Sequence, residues 1–151
     1  MSPSPRVFVS DRQRSLRIDA RRLARELAEV LRRVEYPGDL SLSLVDDREM
    51  RELHARFSND DTPTDVLAFP LDGPRPAGPA GEVVVSVETA LREARTRGLR
   101  PRGEVLLYAV HGILHLTGED DHDPVRKKRM DRRTLHLLRA LGVHHRIGEP
   151  S

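Results

Sequence analysis

Cysteine and tryptophan are absent from this 151-residue chain, and the aromatic residues number five: Phe8, Tyr36, Phe57, Phe69 and Tyr108. Without cysteine there can be no disulfide, no thiolate metal site and no cysteine nucleophile. Any metal must therefore sit on histidines and carboxylates. So few aromatics argue against a base-stacking platform. No stretch approaches eighteen consecutive apolar residues, so no membrane-spanning helix is expected. The opening MSPSPRVFVSDRQR lacks the basic-then-apolar order of a secretory signal, and a cytoplasmic location is expected. Lysine is scarce too. Of the 26 cationic residues only Lys127 and Lys128 are lysines, leaving 24 arginines behind a net charge of only +2. Arginine grips phosphate with a planar fork, which raises the prospect of a phosphate or nucleic-acid partner. Genome composition can produce the same bias.

What is present reads as one domain over residues 1–151, with a core at about 5–142 and a frayed tail at 143–151. Residues 6–10 (RVFVS), 40–45 (LSLSLV), 65–69 (DVLAF) and 82–87 (EVVVSV) have the β-branched or alternating pattern of strands. The most apolar of them, 82–87, is expected at the centre of a sheet. Residues 17–34 carry Leu23, Leu27, Val30, Leu31 and Val34 at helical spacing. Asp46 with Glu49 starts a second helix running to about Phe57 in the manner of a capping box. Further helices are expected at 88–97, closed by Gly98; at 102–116, opened by Pro101; and from Pro124 to about Leu141. Residues 58–63 and the proline- and glycine-rich 70–81 read as loops. The fold expected is α+β: a small mixed β-sheet of about four strands with helices packed on it.

Chemistry concentrates between His111 and His122, in HGILHLTGEDDH. His111 and His115 are four apart on a predicted helix, so both rings leave the same face one turn apart and can reach one ion. Gly118 ends the helix and turns the chain back, bringing Asp121 or His122 within reach. Three protein donors and an open fourth position is the layout of a catalytic zinc site. The residue after the first histidine decides the chemistry. Metalloproteases of the H-E-x-x-H type carry their general base there. Gly112 has no proton acceptor, so peptidase chemistry is not expected. His136, His144 and His145 read as solvated.

This segment resembles the signature H-G-x-L-H-L-x-G-x-D-H of the YbeY family, bacterial rRNA maturation factors that are metal-dependent endoribonucleases. His111 to Asp120 reproduce its first ten positions. Pro63-Thr64-Asp65-Val66-Leu67-Ala68-Phe69-Pro70 resembles the family's P-T-D-V-L-S-F-P, and Gly81-Glu82-Val83-Val84-Val85-Ser86 its G-D-I-x-I-S. The chain departs from the pattern twice. Where the family's third metal histidine falls, this chain has Asp121, with His122 one residue later. His122 is expected to be the third ligand, with Asp121 the alternative. Six residues before the Thr-Asp pair the family usually carries an arginine; here Ser58 stands there, and Arg56, two residues earlier, is the candidate replacement.

The resemblance implies hydrolysis of phosphodiesters in single-stranded rRNA near a 3′ end, with rRNA and the small ribosomal subunit as partners. The expected site is His111, His115 and His122 on one zinc per chain, with Arg56 and Asp121 as catalytic groups. A base is expected from Asp121, Glu119 or the metal's own chemistry. No dinucleotide cofactor and no membrane partner are expected. The run Arg126-Lys127-Lys128-Arg129 with Arg132-Arg133 offers a surface for RNA backbone, or simply a solvated helix face. Two other readings are a zinc hydrolase of another substrate class and a non-catalytic ribosome-assembly factor braced by its metal.

Overall fold

The computed structural model describes residues 4–58, 65–71 and 79–147, with the side chains of residues 57 and 58 outside that description. Most of the 58–63 and 70–81 loops, Pro63 and Thr64 of the second motif, and residues 148–151 of the tail thus lie outside the described residues. The elements are β1 (Val7–Asp11), α1 (Ala20–Arg33), β2 (Leu40–Val45), α2 (Asp47–Ser58), β3 (Val66–Pro70), β4 (Gly81–Ser86), α3 (Val87–Arg97), α4 (Pro101–Leu116) and α5 (Pro124–Ala140). They follow the order read from the sequence. α1 starts later than its apolar period suggests, because the Asp19 carboxylate accepts the Arg22 backbone N–H and caps the helix there. Asp46 does the same for α2 by accepting the Glu49 N–H at 2.8 Å.

The four strands form one mixed sheet in the order β1-β2-β4-β3. β1, β2 and β4 run parallel, and β3 lies antiparallel on the far edge. β4 is internal, as its apolar run requires. Leu40, Leu42, Leu44, Val83 and Val85 feed the main core with α1 and α4, while Val84 joins Val45 and Met50 in a smaller cluster beneath α2. α4 is the hub. It packs on β3, β4, α1, α3 and α5, and residues 103–110 and 112–114 are all buried. A helix apolar nearly all round belongs inside a protein.

Gly112 explains how α4 can lie so close to the sheet. A Cβ placed on it would stand 2.6 Å from Val83 Cγ1 and 3.3 Å from Val66 Cγ2. The position that withholds a general base is thus also the one where helix and sheet touch. Any side chain at 112 would run into β4 and away from solvent.

The tail differs from expectation. Val143 and Ile147 pack against the core. The side chain of His145, expected in solvent, is only 3% exposed, and its Nε2 lies 2.7 Å from Oε1 of the fully buried Glu104. The cause is Glu104 itself: a buried carboxylate needs polar partners, and it draws on His145, Tyr108 and Arg97. Gly103 makes room, since a Cβ there would sit 2.5 Å from His145 Nδ1. Gly112→Ala should cost about 1–3 kcal/mol through overpacking against Val83, measured by denaturant unfolding. A stability equal to that of the wild type would show that the helix–sheet contact has slack.

Candidate metal and phosphodiester site

His111 and His115 leave α4 side by side, with ring centroids 6.4 Å apart and ring planes at 79°. α4 ends in a Schellman turn: the Gly118 N–H bonds to the His115 carbonyl, the Glu119 N–H bonds to the Leu114 carbonyl, and Gly118 adopts a φ of +98°. That turn has a chemical consequence. It brings the Glu119 carbonyl to 3.1 Å from His115 Nδ1. A ring that donates its Nδ1–H to a carbonyl keeps Nε2 free as a lone-pair donor, the arrangement typical of metal-bound histidine. His111 Nε2 is buried without any hydrogen-bond partner, and so is Oδ1 of Asp131 on α5, 3.4 Å away. Burial pushes the His111 pKa down against the opposing pull of Asp131. Burial thus favours the neutral ring, the form that binds metal.

Both histidines open onto a cavity of about 720 Å³. Asp121 lines it with them, as do Asp65, Asp131 and the cations Arg92, Arg97 and Lys127. His122 is exposed and does not line it; its backbone N–H donates to Asp120. Arg56 is exposed in the last turn of α2 and does not line it either. Among the described residues, no three His, Asp or Glu side chains are grouped closely enough to hold an ion as they stand. The chemistry of the site still suits one: two imidazole donors with free Nε2 atoms, an unpartnered carboxylate oxygen and no thiolate.

The cavity contains groups that sequence reasoning did not single out. Arg92 is fixed by Asp47, whose Oδ2 accepts from its guanidinium at 2.7 Å while Oδ1 accepts from the Ser86 and Thr89 hydroxyls. Arg97 reaches Glu93 and Glu104. Asp65 lies immediately before β3, in the second motif, and burial raises its pKa. Of these, Asp65 belongs to the 63–70 motif. The arginines look like ordinary polar positions of an amphipathic helix.

Much of the basic run on α5 is internally paired. Arg126 bridges to Asp120 and Asp123, Lys127 to Asp131 at 2.7 Å, and Arg133 to Glu119. Lys128, Arg129 and Arg132 are exposed, and no ion pair engages them among the described residues.

Residues 8–142 match the family described as Endoribonuclease YbeY. Proteins of that name similar to this chain include one from Thermobifida fusca, 40% identical over 72% of this chain and 75% of its own length. Another, from Kineococcus radiotolerans, is 36% identical over 88% and 80% respectively. A relative from Anaeromyxobacter is 41% identical over 70% of this chain, and the match spans only 56% of that relative's own length. A solution structure from Thermotoga maritima superposes with a TM-score of 0.59, at 24% identity, over 90% of this chain and 91% of that one, a likeness of fold.

The Asp47 cluster predicts a pH dependence. Desolvation raises the Asp47 pKa, but hydrogen bonds from Ser86, Thr89 and Arg92 outweigh it, and the net shift is downward. A carboxylate with a depressed folded pKa stabilises the fold above its unfolded pKa of about 3.9 and loses that contribution as pH falls through the folded value. Asp47→Asn should therefore cost on the order of 1 kcal/mol at pH 7, the group being partly exposed. Chemical denaturation should find much less at pH 3. An equal cost at both pH values would mean that the charge is irrelevant.

Proposed function

This chain belongs to the endoribonuclease YbeY family, and from that premise we propose that it is a metal-dependent endoribonuclease cutting single-stranded rRNA during small-subunit maturation. The observation that carries the reading is the α4 histidine pair. His115 has its Nδ1 tied to a carbonyl, His111 has a buried Nε2 with no partner, and both face a cavity ringed by arginine and lysine.

His111 and His115 would hold the ion, one per chain, and their nitrogen donors suit zinc. Such an ion supplies Lewis acidity at a phosphodiester and makes water acidic enough to ionise near neutral pH. The protein's own part is positioning and charge. Arg92, Arg97 and Lys127 are each held by a carboxylate before substrate arrives, so their charge meets the phosphate without reorganisation. Asp121, on the loop after α4, faces the same cavity and serves as proton acceptor in place of the base that Gly112 cannot be. His122 remains the donor that a rearranged 121–122 loop would bring in. Arg56, beside the 57–64 segment, is the candidate to reach the scissile phosphate from α2. RNA beyond the cut would lie along Lys128, Arg129 and Arg132.

Purified protein should cleave single-stranded RNA, lose the activity to a chelator and regain it with Zn2+. His115→Ala should abolish both tight metal binding and cleavage. Asp121→Asn should lower turnover by about 10²-fold or more, with RNA affinity nearly unchanged. Chelator-resistant cleavage, or a fully active His115→Ala, would remove the metal from the mechanism.

Replacing Lys128, Arg129 and Arg132 together by glutamine should weaken RNA binding across sequences while leaving metal content intact. The slope of log affinity against log salt should flatten by ~2, at about 0.7 per phosphate contact on single strands. An unchanged slope in filter-binding titrations would make this a solvated face and nothing more.

A further inference from the structure

We propose that residues 143–147 form a strap that walls the RNA cavity, and that the buried His145–Glu104 pair pins it there, making these two positioning residues for Arg97 and Ile147. The wall belongs to the endoribonuclease site described above and rests on that reading, adding to it a contact surface for a nucleotide.

The path of the strap is set by the end of α5. Gly142, with a φ of +79°, turns the chain, and the Val143 N–H bonds to the Leu138 carbonyl at 2.9 Å. From there alternate residues face in and out, as on any extended segment. Val143 and Ile147 pack against the core, while His144 and Arg146 are exposed. Between them the His145 ring enters the first turn of α4. A Cβ on Gly103 would stand 2.5 Å from its Nδ1, and its Nε2 lies 2.7 Å from Glu104 Oε1.

Glu104 is fully buried. Its contacts with the Tyr108 hydroxyl and the Arg97 guanidinium are both long, at 3.4 Å. His145 is therefore the partner that decides whether this carboxylate is satisfied, and taking one member from a buried pair is costly. That need holds the strap in place.

Strap and cavity meet at Arg97. Arg146 donates from its guanidinium to the Arg97 carbonyl at 3.0 Å, and Glu104 engages the Arg97 side chain. Arg97 is thus gripped through both backbone and side chain by the assembly that His145 anchors. Arg97 and Ile147 line the cavity onto which His111 and His115 open, whereas His145 and Glu104 do not. The pair acts through its neighbours. A fixed arginine and an apolar side chain on one cavity suit a nucleotide, the fork taking the phosphate and Ile147 lying against the base.

The test measures binding of a fluorescein-labelled hexauridylate RNA to the whole chain by anisotropy, with steady-state cleavage of the same RNA alongside, in variants shown by circular dichroism to be folded. His145→Ala removes the anchor and Gly103→Ala displaces it. Both should weaken binding and raise KM about 10-fold, with kcat within about 3-fold of the wild type. His145→Gln, whose amide N–H still reaches toward Glu104, should recover most of the affinity, and His145→Leu should not. Ile147→Ser leaves the anchor alone and should also weaken binding, which decides the matter if the anchor variants do not fold. Wild-type affinity and KM in folded His145→Ala, Gly103→Ala and Ile147→Ser would overturn the proposal. A wild type that binds the RNA without cutting it would overturn the nuclease reading, and the wall would then stand or fall by the affinities alone.

Discussion

Close packing of α4 on β4 at Gly112 is the constraint on which the rest of the molecule depends. α4 is buried along nearly its whole length, and a Cβ at 112 would press into Val83. Since side chains follow one another by about 100° around a helix, fixing Gly112 against the sheet turns its neighbour His111, and His115 one turn later, toward the cavity. The helix therefore serves the core and the chemistry at once. Substitution at 112 would disturb both, which gives the glycine two independent reasons to be there.

The second determinant is the way charge is arranged around the pair. Burial lowers the pKa of His111 and raises that of Asp65, while the cavity's cations are each tethered to a carboxylate. Such tethering limits the strength of the free positive field, but it fixes where that field points. For the RNA substrate proposed above, fixed direction matters more than bulk charge. The modest net charge of +2 fits this economy: specific cations are placed and the surplus is neutralised.

Much of this was legible in the sequence because it is local. The cap at Asp46, prolines opening α4 and α5, the αL residue Gly98 and the histidine spacing all act within one or two turns. The apolar run of residues 82–87 placed β4 inside the sheet for the same kind of reason. What escaped was non-local. Arg92, Arg97 and Asp131 look like ordinary polar positions on amphipathic helices, and only the packing of α3 and α5 on α4 brings them to one cavity. His145 reads as a tail residue because its partner Glu104 lies 41 positions away. Gly112 was read through what it lacks, a proton acceptor, whereas its contact with Val83 spans the helix–sheet interface. Ion pairing on α5 likewise cannot be told from a free basic run without knowing which acidic side chains lie opposite.

The central claim is that the α4 histidine pair is a metal centre. Anomalous diffraction from crystals of the zinc-loaded protein, collected on either side of the zinc absorption edge, tests it most directly. A single strong peak within bonding distance of both His111 Nε2 and His115 Nε2, vanishing below the edge, is the predicted result. A fully occupied zinc elsewhere on the chain, with the two rings hydrogen-bonded only to protein or water, would contradict it.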